Sequence, residues 1–447
     1  MGKSAKSRGI HWPAGWRKSL WVIPGFALLI KFVIISQLPG HAWLGADGDN
    51  YLKGLDFLIQ EGFLSKNGIL HYWPAGYPLF MFTVGAINYQ WVLPITAVLQ
   101  SLLFALSTAY LCQKLHETRL RRFALPASLA LTLSPTLTLN TSAIGYELIS
   151  ASVFILVIAL IIDLAQLPKR TILNWRVFLI GILLSFNNFT QPRFLLSSLI
   201  IFVLVGLFLY TKKFFLPIVI IGIITSFLLP SILVVRNVLA NDFATISTNL
   251  GVTMRLGAGD GATGGYVNGF PGVDCPATEG GPIEVDQALV KCTINWYLDN
   301  PAEIFRLALN KTIYFWSPWF GPVANGSMAR NPWMKMNPFY GLATESQAGF
   351  DLVFGPFGKV VSWLWILAYV GSMMFGAVTL WRYGGLERLL SLLLTSLIAA
   401  SWLISLGTLG DHRQRLPVLS MIIILQVIGV FSLRRRPVTK TASKRRR

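Results

Sequence analysis

Ten apolar runs constrain this chain more than anything else in it: 20–38, 90–111, 123–139, 148–164, 177–189, 194–210, 214–234, 353–380, 389–406 and 416–433. A helix needs roughly 20 residues to cross a hydrocarbon core about 30 Å thick, and most of the runs approach or exceed that length. Hydrophobic residues make up 54% of the chain and charged ones only 13%, against about a quarter charged in soluble globular proteins. A soluble domain is excluded. The pattern predicts an all-α polytopic membrane protein of about ten transmembrane helices, one continuous domain over 20–433 between basic tails at 1–19 and 434–447. The net charge of +19 would suggest a nucleic-acid partner only if the basic residues formed a soluble groove or patch. They sort instead by side of the membrane, so the expected partner is the lipid bilayer and not nucleic acid.

The sorting sets the topology. Lys3, Lys6, Arg8, Arg17 and Lys18, the turns with Lys114, Arg119, Arg121 and Arg122, with Lys169, Arg170 and Arg176, with Lys212 and Lys213, and with Arg382 and Arg388, and the tail 434–447 hold most of the 38 Lys and Arg. By the positive-inside rule these segments and both termini are cytoplasmic. Most of the 19 acidic residues fall on the other side, where two long segments, about 39–89 and 236–351, have the length of functional loops. Within the second, 303–319 is apolar with Arg306 and Lys311 and reads as a helix lying in the interface. Run 20–38 lacks a small-x-small cleavage site and is followed by more spans, so no cleaved signal peptide is expected. Cys275 and Cys292 share this loop; in an oxidising compartment they would form a disulfide, the alternative being two unpaired thiols.

Four stretches carry chemistry. Directly after the first run comes Ala46-Asp47-Gly48-Asp49-Asn50-Tyr51. A carboxylate in a partly desolvated cleft there can serve as a general base, while the bland alternative has Asp49 capping a helix over 51–61. Asp47 and Asp49 are also the only pair offered to a divalent cation, and two carboxylates without further ligands are a thin case, so no metal site is assigned. His71-Tyr72-Trp73-Pro74-Ala75-Gly76-Tyr77-Pro78 is an aromatic run suited to headgroup depth or to a cleft wall. Asp411-His412-Arg413-Gln414-Arg415-Leu416-Pro417 sets arginines on the exterior side, against the charge trend. Such guanidiniums suit a phosphate, or pair with Asp411 or lipid. Arg193 lies at equivalent depth. The stretch 247–266 is glycine-rich and contains Asn249 and Arg255, either a backbone cradle or a flexible loop.

Taken in order, these features resemble the GT-C superfamily of polytopic glycosyltransferases, most nearly the bacterial relatives of protein O-mannosyltransferases and lipid A aminoarabinose transferases. The anchors are Asp47 four residues before Tyr51, Pro74-Ala75-Gly76-Tyr77-Pro78, Thr248-Asn249-x-Gly251 followed by Gly257-x-Gly259, Asn300-Pro301 leading to Lys311, and Arg413-x-Arg415-Leu416-Pro417. The resemblance implies a polyprenyl-phosphate sugar donor, and a lipid, polysaccharide or protein acceptor. Transfer would occur with inversion on the exterior face of a bacterial cytoplasmic membrane. It gives Asp47 the role of base, with Asp49 as a second carboxylate or the base itself, because relatives carry Asp-Glu where this chain has Asp47-Gly48. Arg413 and Arg415, helped by Arg193 or Arg255, would bind the donor phosphate. Tyr51, His71, Tyr77 and Asn249 would line the cleft, with His71 standing in for the Lys that the aminoarabinose transferases place where this chain has Trp73.

Three other functions compete. A flippase or transporter would bury ionisable groups near the midplane, and the candidates here are few: Lys31, and Glu147 and Asp163 near the two ends of one run. An assembly factor would use 236–351 as a partner surface. A polysaccharide polymerase or ligase would take a diphosphate-linked donor.

Overall fold

A computed structural model describes residues 16–35, 47–316 and 346–433, apart from the single positions 87, 142, 169, 173 and 268. Both basic tails beyond these limits, and the parts of the two long segments at 36–46 and 317–345, lie outside the described residues. Helices are numbered in chain order: α1 Trp16–Ile35, α2 Gly48–Glu61, α3 Ile69–Tyr72, α4 Gly76–Gly85, α5 Val92–His116, α6 Arg121–Thr132, α7 Pro135–Asn140, α8 Tyr146–Ala165, α9 Trp175–Thr190, α10 Leu195–Leu209, α11 Lys212–Asn241, α12 Leu250–Leu256, α13 Pro282–Asp299, α14 Pro301–Trp316, α15 Gln347–Phe354, α16 Pro356–Tyr383, α17 Gly385–Gly407, α18 His412–Arg415 and α19 Leu419–Leu433. Among the described residues there is no β-strand.

The chain is an all-α integral membrane protein. Among the described residues, seven stretches are long and apolar enough to cross a bilayer: Tyr89–His116, Tyr146–Ala165, Pro192–Leu209, Lys212–Asn241, Pro356–Tyr383, Gly385–Gly407 and His412–Leu433. One of the ten runs is broken. Run 123–139 is divided between α6 and α7 at Ser134-Pro135, because proline has no amide to continue the helix and restrains the residue before it. Run 177–189 becomes α9, 16 residues long, which at 1.5 Å per residue spans about 24 Å. Run 20–38 begins in α1, a helix of 20 residues over Trp16–Ile35, and its last residues, 36–38, lie outside the described residues.

At the centre stands α8, with 83% of its apolar window buried; it packs against α5 on one side and α9 on another. Association of helices in lipid depends on close packing and interhelical hydrogen bonds rather than on water exclusion. Both are present. Gly376 of α16 faces α19 so closely that a Cβ there would lie 1.9 Å from the Leu425 carbonyl oxygen. Asn188 of α9 donates to Ser198 Oγ of α10 at 3.1 Å and to the Ser226 carbonyl of α11 at 3.0 Å. At the periphery α16 has only 28% of its apolar window buried and exposes Phe357, Leu364 and Leu367, a face matched to lipid.

The two ends of α8 define the two ends of the molecule. At its C-terminal end Asp163 pairs with Lys114 at 2.7 Å and Arg176 at 2.5 Å, and Arg170 donates to the Leu164, Ala165 and Leu209 carbonyls. At its N-terminal end the described parts of the two long segments gather. Arg236 of α11, fully buried, donates to the carbonyls of Phe63 and Ser65, and Thr248 N donates to the His71 carbonyl at 2.9 Å. Cys275 and Cys292 form a disulfide with Cα atoms 6.0 Å apart, fastening the glycine-rich loop to α13.

Candidate functional site

Beneath the site lies a polar scaffold. Tyr77 of α4 is buried and donates its hydroxyl to Gln100 Oε1 of α5 at 2.8 Å, while accepting from Gly145 N at 3.0 Å. Gln100 in turn donates to the Thr141 and Ala143 carbonyls at 3.0 Å each. These bonds fix the start of α8, so that Tyr146 and Glu147 emerge at a defined place. Gly76 allows α4 to come this close, since a Cβ there would lie 1.8 Å from the Phe189 carbonyl oxygen. Tyr77 is thus support under the cleft. Tyr51 of α2, equally buried, lies over it with ring centroids 4.9 Å apart and touches Trp73 edge-on.

Asp47 precedes α2 and its backbone carbonyl accepts from Asn50 and Tyr51. Its carboxylate makes no capping bond to the helix and turns instead to Arg413, whose Nη1 donates to Asp47 Oδ2. The same guanidinium donates from Nε to Glu147 Oε1. One arginine therefore bridges two carboxylates from distant parts of the chain. Asp49 lies in the first turn of α2, where an acid favours the helix N-terminus.

Arg413 is delivered by α18, whose N-cap Asp411 accepts from Arg413 N at 2.8 Å. Burial pushes the Asp411 carboxyl up to about 6; Arg413 pulls it down, and Glu147 and Asp47 push it up. Two residues on, Arg415 points another way, because helical positions i and i+2 do not share a face. It donates to the Trp316 carbonyl at 2.7 Å and lies against the Tyr369 ring. The pair expected to hold one phosphate is divided between two sets of partners.

Arg193 comes from the turn between α9 and α10, against the ring of Tyr146 at 5.1 Å; Arg413 lies against the same ring at 5.3 Å. Its Nε and Nη2 are buried with no hydrogen-bond partner. A buried cation without a partner is unfavourable unless an anion or ordered water completes it. The cluster of Asp47, Glu147, Arg413 and Arg193 thus offers one accessible carboxylate beside incompletely satisfied cationic donors, an arrangement that can bind a phosphate and accept a proton next to it.

The remaining expected residues brace the walls. His71 Nδ1 lies 3.0 Å from Thr248 Oγ1, and burial together with the Arg236 charge lowers its pKa. Asn249 stands at the start of α12 without a side-chain capping bond. Arg255 donates to the Val273 carbonyl at 2.8 Å and holds the glycine-rich loop, where Gly272 takes a left-handed φ of 77° against the Arg255 carbonyl. Among the described residues no group of three or more His, Cys, Asp or Glu could hold a metal ion.

Three participants were not among the expected site residues. Glu147 and Tyr146 bear directly on the arginines; the available signal was an acid at the mouth of an otherwise apolar span, which by default suggests function. Lys311 of α14 is 1% exposed and donates to Thr408 O at 2.7 Å, Leu406 O at 3.0 Å and Tyr297 Oη at 3.1 Å. It closes the C-terminal end of α17, just before the turn that carries Arg413. Burial drives its pKa down to about 7. No family model matches this chain, and no curated protein matches it.

Proposed function

We propose that the chain is a membrane glycosyltransferase. It moves a sugar from a polyprenyl-phosphate donor to an acceptor hydroxyl, with Asp47 as general base. The resemblance to the GT-C superfamily supplies the donor class. The observation that carries the reading is the bridging of Asp47 and Glu147 by Arg413 beside the unsatisfied guanidinium of Arg193. In the proposed reaction the acceptor hydroxyl gives its proton to the Asp47 carboxylate as its oxygen attacks the anomeric carbon. The bond from that carbon to the phosphate oxygen breaks on the opposite face, its electron pair leaves with the phosphate, and configuration inverts. Arg193 and Arg413 stabilise the charge that grows there, a role in which guanidiniums offer paired donors and remain charged.

Asp47 is favoured over Asp49 as base by its contact with Arg413. Arg415 and Arg255, held by Trp316 and Val273, act as supports of the site. The reaction face is the end with the long loops, which the charge distribution puts on the exterior side with both termini inside; the resemblance implies a bacterial cytoplasmic membrane. Glu147 and Asp163 stand at opposite ends of α8, so that helix gives the transporter alternative no midplane charge.

The test is binding and turnover of radiolabelled polyprenyl-phosphate sugars by the purified protein in lipid nanodiscs. Sugar-dependent release of free polyprenyl phosphate is the expected result. A protein that binds no member of a broad donor panel overturns the transferase reading and directs attention to transport.

A further inference from the structure

Arg413 has two carboxylate partners of very different freedom. The Glu147 side chain is 2% exposed, whereas that of Asp47 is 15% exposed. Glu147 belongs to the first turn of the most buried span. Its seat is tight: a Cβ on Gly145 would lie 2.6 Å from Glu147 Oε2. Leaving such a carboxylate unpaired is strongly unfavourable, so Glu147 has no ready alternative to Arg413. Asp47 sits on a turn ahead of α2 and has room to exchange partners.

Resting on the transferase reading, we infer that Glu147 is a positioning residue: it anchors Arg413 through Nε, and the contact between Arg413 and Asp47 is the one an incoming phosphate exchanges. A guanidinium has five N–H donors, so Arg413 can keep Glu147 while Nη1 passes from carboxylate to phosphate. That transfer both binds the donor and releases Asp47 to take the acceptor proton. Donor arrival thereby arms the base. The other polar groups of the surroundings, the Tyr51 and Tyr77 hydroxyls and the Asp411 carboxyl, belong to separate elements, Tyr77 bonded to Gln100 and Gly145 and Asp411 to Arg413 N.

The charge arithmetic gives a distinctive expectation. Three carboxylates, Asp47, Glu147 and Asp411, stand around Arg413, so Glu147→Gln removes one negative charge beside the phosphate site while keeping an acceptor for Nε. The Arg413 guanidinium then clasps Asp47 as its single carboxylate. The experiment measures the Kd for undecaprenyl phosphate and kcat with a turned-over sugar donor, in nanodiscs, for wild type, Glu147→Gln and Glu147→Asp. Glu147→Gln is expected to bind the lipid phosphate severalfold more tightly, yet to lower kcat by roughly 10- to 100-fold, the cost of displacing a positioned group by about an ångström. Glu147→Asp keeps the charge and shortens the arm, so its Kd should stay near wild type while kcat falls. Should Glu147→Gln fail to fold, Glu147→Asp decides the matter by the same readouts.

A purely structural Glu147 would weaken binding and turnover together, and that result overturns the inference. So do variants with wild-type Kd and kcat. If wild type itself binds no undecaprenyl phosphate, the phosphate-site reading falls and takes this inference with it; normal wild-type binding beside unchanged variants removes the inference alone.

Discussion

Arg193 shows how a single side chain can be informative through what it lacks. Its buried Nε and Nη2 have no hydrogen-bond partner, so Arg193→Met removes no protein hydrogen bond from them. Thermal stability should change little, while affinity for undecaprenyl phosphate should fall by roughly 10- to 100-fold, since a hydrogen bond to a charged group contributes about 1.5–3 kcal/mol; an unchanged Kd would remove Arg193 from the phosphate site. Lys311 makes a separate prediction about pH. With its folded pKa near 7 and the unfolded value near 10.4, the unfolded chain binds more protons between these limits. Stability therefore rises with pH from about 7 to about 10. Melting midpoints measured across that range should climb in wild type, and the Lys311→Met variant should lose the Lys311 part of the slope. Asp411 has the opposite sign. Its folded pKa near 6 lies above the unfolded value near 3.9, so the folded state binds more protons and stability falls as pH rises from about 4 to about 6. Asp411→Asn retains an N-cap acceptor and should flatten that fall, which the same melting series would show.

At the scale of elements, close approach is the main constraint. The contact of α16 with α19 depends on Gly376, and also on Gly429, where a Cβ would lie 2.5 Å from the Ser372 carbonyl oxygen. Gly376→Val must separate the helices and should lower the melting midpoint by several degrees, an overpacking effect of about 1–3 kcal/mol; a wild-type midpoint would show that the two helices have slack. The helices themselves were largely legible in the sequence, since length and hydropathy locate apolar spans. Run 123–139 reads as one span because hydropathy alone does not show that Pro135 starts a new helix. Asp47, Arg193 and Arg413 were legible as charges set where the loops meet the spans. Their convergence on Tyr146 and Glu147 was not, because it joins residues from four distant segments. The divergence of Arg413 and Arg415 depends on α18 being helical, and the bracing tasks of His71 and Arg255 depend on Thr248 and Val273. Neither is encoded in local spacing.

The whole molecule is polar along the direction of α8. One end carries the Lys114–Asp163–Arg176 network, and the other brings the loop segments, the disulfide and the Asp47–Arg413–Glu147 bridge together. Apolar faces such as that of α16 separate the two ends, and the proposed chemistry belongs at the loop end, where Arg193 and Arg413 stand. The most direct measurement of this account is the initial rate of sugar transfer in nanodiscs for wild type, Asp47→Asn and Asp49→Asn at saturating donor. Asp47→Asn is nearly isosteric and removes the basic carboxylate, so its rate should fall by at least 10²-fold, the scale of a lost general base, with folding intact and Asp49→Asn milder. A wild-type rate from Asp47→Asn would contradict the account at its centre.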